Sequence, residues 1–329
     1  TNKVFKEVIN VKLLKKYPRL KWDEAMDIYG SDKPDLRYEM LLQNFKSFTD
    51  KSEFNAFKSA EVVKGIVVLG GAKYSRKVID DLTDFVKKFK AKGLAWMKVE
   101  NGNLTGGISK FFNKDLQHEL IDSHKLKNND IIFMIGDDKE LTQLALGALR
   151  VEIAQMENLT KNDVFKPVWV TDFPMFEFDA DDNRYVARHH PFTAPSTNDI
   201  SELKNDPGSL KSRGYDLTMN GYEIAGGSIR NHKPDFQAKI FELLGMDEKE
   251  TNARFGFLIE ALKFGTPPHG GIAFGFDRLV MLLAGTKNIR DVIAFPKTTS
   301  AASLMDESPS SVSNSQLSEL NISIKTKKD

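Results

Sequence analysis

Two carboxylates, two arginines and a glycine-lined strand are the residues of this sequence whose spacing could do chemistry. In Tyr215 to Arg230, YDLTMNGYEIAGGSIR, the pair Asn220-Gly221 is the strongest two-residue hairpin signal a sequence can carry. That turn sets the register: Met219 opposite Tyr222, Thr218 opposite Glu223, Asp216 opposite Ala225. Asp216 and Glu223 then share a face as diagonal neighbours, roughly 7 to 8 Å apart at the backbone. Two carboxylates converging over a small alanine suit Mg²⁺ carried in by a polyphosphate, with phosphate oxygens and water completing its shell. The alternative is a solvated acidic face. Strict alternation would turn Arg230 to the opposite face. A bulge at Gly226-Gly227 is therefore predicted, resetting the parity and bringing the guanidinium round to the carboxylates.

The second arginine lies in Gly270 to Leu283, GGIAFGFDRLVMLL. With period two, Ile272, Phe274 and Phe276 point one way while Gly271, Ala273 and Gly275 leave the other face nearly bare, so a flat ligand fits there. From Phe276 the spacing turns helical, and the helix reads as buried almost all round. Arg278, in its first turn, needs an anion or a ring as partner, and beside a smooth strand the natural one is a nucleotide. The alternative is an ordinary strand-to-helix turn with a snorkelling arginine. His189 and His190 are adjacent in extended chain and face opposite ways, so at most one enters a given pocket. Nothing near them completes a zinc site.

These groups need elements to hold them. The length of 329 residues suggests roughly two domains. Lys+Arg at 47 against Asp+Glu at 46 gives no global electrostatic case for nucleic acid, so an RNA surface would have to be local. Without cysteine there is no disulfide, thiolate nucleophile or cysteine-ligated zinc, and no apolar run approaches membrane-spanning length. A cytoplasmic protein with no membrane partner is expected. Helical spacing covers residues 2 to 17, closed by Pro18. A short helix from Trp22 runs into the polar loop from Gly30 to Arg37. Short strands alternate with amphipathic helices from about 55 to 162 (strands at 65–69, 95–99 and 131–135), which reads as a compact inserted domain of α/β or α+β packing. Gly70-Gly71 lacks a phosphate-binding fingerprint and reads as a tight turn. Pro167 to Ala187 forms a hairpin whose tip, 179 to 183, fails the calcium-loop pattern at Arg184 and His190. Residues 235 to 244 and 251 to 264 read as helices, and the last twenty as a frayed tail or late edge strand.

The motifs GSDKPDLR at 30–37, HHPFT at 189–193, NGYEIAGGSIR at 220–230, FGTPPHGGIAFGFDRLVMLL at 264–283 and NIRDVIAFPKTTSA at 288–301 together resemble bacterial-type aspartyl-tRNA synthetase, of the class II aminoacyl-tRNA synthetases. The resemblance implies an α+β fold, a class II antiparallel sheet flanked by helices with an inserted α/β-type domain. It divides the chain into 1–54 and 163–310 as catalytic domain, 55–162 as bacterial-type insertion and 311–329 as tail. It implies ATP-dependent activation of L-aspartate and transfer to the 3′ end of tRNA(Asp), with tRNA(Asn) a further acceptor in some members and a homodimer in the full-length family. Gly275, Phe276, Asp277 and Arg278 would form the ATP site; Asp216 and Glu223 would hold Mg²⁺ with ATP; Arg230 would take the aspartate side chain, with His189 and its neighbour His190 positioning the amino acid. Glu223 and Arg278 would stabilise charge in the reaction. The resemblance also implies that the chain takes up after motif 2, so the anticodon-binding domain and motifs 1 and 2 are expected to be missing and the isolated chain inactive. Two rival readings remain: a non-catalytic nucleotide- or tRNA-binding module, and a class II-like ATP-dependent amide ligase.

Overall fold

The computed structural model describes residues 1–179 and 181–325. Ala180 of the acidic hairpin tip and 326–329 of the expected tail lie outside the described residues. The chain forms two compact units, Thr1–Gly275 and Phe276–Asp329.

The first unit opens on α1 (Asn2–Ile9), shorter than the helix expected to run to residue 17. Asn10 takes the left-handed conformation at φ 57°, and Val11 N–H then bonds back to Phe5 O, so the backbone turns out of the helix there. Strand β1 (Arg19–Lys21) and α2 (Trp22–Tyr29) follow, and α2 stops at Gly30, again left-handed at φ 65°.

Next come β2 (Gln43–Asn44), α3 (Lys46–Lys51), β3 (Val62–Val68), α4 (Arg76–Lys87), β4 (Ala95–Glu100), β5 (Asn103–Thr105), α5 (Lys114–Ser123), β6 (Ile131–Asp137) and α6 (Lys139–Met156). Strands and helices alternate along the chain as their periodicity predicts, yet the sheet, in order β2-β3-β6-β4-β5, is antiparallel at every pairing. Its central strand is buried on both faces, which is why it reads as a continuous apolar run. Ile131, Phe133 and Ile135 pack with Ile79 and Leu82 of α4 and Leu146 and Leu149 of α6. Ile132 and Met134 pack the other way, with Phe48 of α3 and Leu116 and Leu120 of α5.

The other large sheet holds the predicted site. It has the order β1-β7-β10-β11-β12, with β7 (Pro167–Thr171), β10 (Gly214–Met219), β11 (Tyr222–Ile229) and β12 (Gly270–Phe274). Only the short β1 runs parallel to its neighbour; the other pairs are antiparallel. The hairpin expected from Pro167 to Ala187 is divided: Asp172 at φ 57° ends β7, and β8 (Phe176–Asp179) pairs with β9 (Arg184–Ala187) as a separate ribbon. After the short α7 (Glu202–Asn205), α8 (Pro234–Leu243) and α9 (Glu248–Lys263, capped by Asp247) are bridged by stacked Phe241 and Phe255 rings, 5.3 Å apart.

The second unit comprises α10 (Phe276–Ala284), a 3₁₀ turn at Ile289–Val292 and α11 (Asn314–Glu319). Only Met281 and Leu282 of α10 are buried, against the expectation of burial almost all round. The tail expected to fray instead forms α11, where Ser313 and Gln316 make a reciprocal capping box. No helix among the described residues is long and apolar enough to cross a membrane.

Candidate functional site

The β10–β11 hairpin turns at Asn220-Gly221 with both residues at positive φ, 55° and 90°, as the two-residue turn requires. Met219 faces Tyr222 and Thr218 faces Glu223, in the predicted register. Beyond that point the register shifts: Leu217 faces Ala225 and Asp216 faces Gly226, leaving Ile224 as an extra residue on β11. The bulge thus falls at Ile224, not at Gly226-Gly227. Ile224 is fully buried, so the core accommodates its side chain.

The bulge changes what lies beneath the acids. Gly226, not Ala225, is the residue under them: a Cβ built there would stand 2.7 Å from Asp216 Oδ1 and 2.8 Å from Glu223 Oε1. Both carboxylates therefore converge on one space above the sheet. Directly opposite residues share a face, so Gly226↔Ala273 and Ser228↔Gly271 place the bare strip of β12 beside the acids on the same face. Asp216 is 5% exposed and Glu223 partly so. Among the described residues no group of three or more His, Cys, Asp or Glu could hold a metal by itself. Two convergent acids over a glycine floor instead fit Mg²⁺ that arrives with its own phosphate oxygens.

Continuing the alternation past the bulge, Arg230 falls on the carboxylates' face. Its backbone N–H donates to His269 O at 2.9 Å, and its Nη1 meets His190 Nδ1 at 2.9 Å. Phe192 N–H also points at His190 Nδ1, 3.2 Å away, so this nitrogen is an acceptor and the ring is neutral at that contact. Burial and then the Arg230 charge lower the His190 pKa from its ordinary value. An imidazole thus orients the guanidinium. Arg230, His190, Phe192, Gln237, Leu262 and His269 line a cavity of about 460 Å³.

His189 has different neighbours from His190, and the chain bends at Arg188 and His189 instead of running extended as expected. Its ring meets Phe173 edge-on with centroids 4.4 Å apart. Though accessible at its rim, it is crowded enough that burial, followed by Arg188, lowers its pKa, while Asp32 and Glu223 oppose the shift and Lys33 adds to it. Asp32 and Lys33, both in the loop from Gly30 to Arg37, thus act on the histidine with opposite signs. Asp35, 6% exposed, receives Arg37 in a two-pronged pair, Nε to Oδ1 at 2.9 Å and Nη2 to Oδ2 at 2.6 Å. Composition could not place this loop; the pocket role of His269 was likewise masked by its rigid Pro267-Pro268 turn.

Gly275 closes the first unit, its N–H bonded to Ile224 O at 3.0 Å. Phe276, Asp277 and Arg278 open the second, as the exposed first turn of α10.

A family profile described as tRNA synthetases class II (D, K and N) matches residues 1–299. The chain is 48% identical over 328 residues to a protein of Desulfatibacillum aliphaticivorans named Aspartate--tRNA(Asp/Asn) ligase, covering 98% of this chain and 55% of that protein. It is 48% identical over 327 residues to the Aspartate--tRNA ligase of Halalkalibacterium halodurans, with the same two coverages, 98% and 55%. The chain spans about half the length of the curated relatives it matches. Among solved structures, an aspartyl tRNA synthetase from Entamoeba histolytica is 28% identical, with a TM-score of 0.32, over 46% of this chain and 26% of that one.

Proposed function

Since the chain belongs to the class II tRNA synthetases of the D, K and N group, we propose that the protein carrying it is an aspartate–tRNA ligase, which joins L-aspartate to the AMP part of ATP with release of pyrophosphate and passes the aspartyl group to tRNA. The observation that carries this reading is the convergence of Asp216 Oδ1 and Glu223 Oε1 over Gly226, on the face that the bulge also gives to Arg230. The names of the relatives support aspartate over the family's other amino acids.

Arg230, set by His190, receives the aspartate side-chain carboxylate through two parallel N–H donors. Asp216 and Glu223 would hold Mg²⁺, which with ATP supplies positive charge against the phosphate oxygens. Gly271 and Ala273 leave room on the same face for the flat base, with Gly275, Phe276, Asp277 and Arg278 the ATP residues in this reading and Arg278 at the γ-phosphate. His189 orients the amino acid. An oxygen of the α-carboxylate attacks the α-phosphorus, the bond to the β-phosphate bridging oxygen breaks, and pyrophosphate leaves with the electron pair. No side-chain nucleophile is needed, because catalysis rests on positioning and charge stabilisation. The same reading assigns 1–54 and 163–310 to the catalytic domain, 55–162 to an insertion and 311–329 to a tail.

The test is exchange of labelled pyrophosphate into ATP, dependent on L-aspartate, with L-asparagine and L-lysine as alternatives. Because the chain spans 55% of such relatives, the full-length protein and this chain are assayed side by side, and exchange is expected in the former alone. Exchange driven by asparagine or lysine, and not by aspartate, overturns the assignment. Charging of tRNA(Asp) and tRNA(Asn) in parallel then identifies the acceptor.

A further inference from the structure

Arg150 lies on α6, in the block with the second sheet, and is 1% exposed. Among the described residues it forms no ion pair with a carboxylate, although the charge of Asp35 acts on it. Its Nη2 donates instead to the carbonyls of Asp35, Tyr38 and Glu39 at 3.1, 2.8 and 2.8 Å, and its Nε to that of Met40 at 3.1 Å. The rings of Tyr38 and Tyr29 flank the guanidinium at 4.0 and 5.1 Å. A buried guanidinium is costly unless its fixed fork of donors is met, so its presence ties these backbone carbonyls to α6.

The start of the same loop is fastened to the same helix. A Cβ at Gly147 of α6 would stand 2.0 Å from Gly30 O, and one at Gly30 would stand 2.2 Å from Gln143 O, so backbone meets backbone with no side chain between. Just before it, Lys64 of β3 donates to Asp27 O at 2.9 Å and pairs with the Asp27 carboxylate at 2.5 Å. On its far side the loop lies against a hairpin turn: Asp35 Cβ is 4.0 Å from where a Gly221 Cβ would be, on the hairpin that carries Glu223.

We propose that α6 braces the substrate pocket from outside and that Arg150 is a positioning residue, holding the carbonyls of 35–40 so that Ser31 to Arg37 stays docked on the hairpin turn and beside His189. The structural part stands alone; its kinetic consequence rests on the reading under Proposed function. Two variants of one helix separate loosening of the loop from loss of the fold. Arg150→Lys keeps the charge but loses the planar fork. Gly147→Ala strengthens α6 as a helix while pushing Gly30 away.

Hydrogen exchange of the 329-residue chain should show peptides spanning 30–41 exchanging about tenfold faster in both variants, with β3 and β6 peptides still protected. In the full-length protein the aspartate KM should rise about tenfold and the ATP KM by less, since the loop meets the hairpin of Glu223 at its turn, two residues from the acid. If Arg150→Lys also unprotects β3 and β6, Gly147→Ala decides. Unchanged protection of 30–41, or a loosened loop with an unchanged aspartate KM, overturns the proposal. A wild-type protein without aspartate-dependent exchange overturns the functional reading instead, and the exchange of 30–41 still decides the brace.

Discussion

Replacing Gly226 by alanine should separate function from stability at the centre of the site. Gly226 is not among the residues at positive φ, so alanine can adopt its backbone, and the loss of glycine freedom in the unfolded chain contributes about 0.4–1 kcal/mol in favour of folding. Against this, the new methyl would lie 2.7 Å from Asp216 Oδ1 and 2.8 Å from Glu223 Oε1, whereas carbon–oxygen contacts settle at about 3.3–3.6 Å. Both oxygens must retreat. Glu223 can do so through its three torsions; Asp216, short and 5% exposed, must leave its rotamer at a cost of about 0.5–1.5 kcal/mol. The two effects offset, and stability should stay within about 1 kcal/mol of wild type. Mg²⁺ binding has no such latitude, because its oxygen ligands are held at about 2.0–2.1 Å in near-octahedral geometry. The Mg²⁺ concentration giving half-maximal aspartate-dependent exchange should therefore rise about 10- to 100-fold, the range found when the surroundings of metal ligands are disturbed. The assay is a Mg²⁺ titration of exchange at fixed ATP, beside thermal unfolding of the same protein. An alanine variant with the wild-type Mg²⁺ midpoint would refute the reasoning, since the acids would then not share one ion.

The adjacent substitution Gly227→Ala should do the reverse: its Cβ would stand 2.0 Å from the backbone oxygen of Gly271, which cannot swing aside, so thermal unfolding should report a loss of about 3 kcal/mol as β12 is pushed from β11. Arg230→Lys keeps the charge but not the two-pronged geometry; the aspartate KM should rise about 10- to 100-fold with ATP little affected, matching about 1.5–3 kcal/mol for a hydrogen bond to a charged group. Both His189 and His190 titrate below their ordinary 6.5 in the folded protein. As pH falls through that value the unfolded chain takes up protons that the folded one refuses, so stability is full above it and declines below. Urea midpoints between about pH 5 and 8 should show this slope, and His189→Gln should flatten it.

Much of this was legible in the sequence where contacts are local. Asn220-Gly221 fixed its own turn and the first two rungs of the hairpin, and three of the strands between 55 and 162 follow from periodicity, though the short β5 at Asn103–Thr105 does not. What escaped depends on residues far apart in the chain. Arg150 sits on the buried stripe of α6 with Leu146, Leu149 and Ile153, and a charge on such a stripe is a signal. Its partners, however, are carbonyls 110 to 115 residues away, which no local pattern identifies. The length of α1 was missed because a single asparagine at the left-handed position ended a helix whose apolar spacing continued.

The bulge shows why the site could be inferred although its register was misplaced. Glycines are the usual place for an irregular strand, so Gly226-Gly227 was the economical choice from sequence; the structure puts the extra residue at Ile224, where the core accepts its side chain. Any one inserted residue between Glu223 and Arg230 reverses the parity of everything after it, so Arg230 reaches the face of the acids wherever the bulge falls. The residue beneath the acids is another matter. With the bulge at Gly226-Gly227 it would have been Ala225, whose methyl would have filled the space where the two carboxylates meet. With the bulge at Ile224 it is Gly226, and the hollow between Asp216 and Glu223 stays open. The face of the arginine is thus set by a count, while the room for an ion is set by the position of one buried isoleucine.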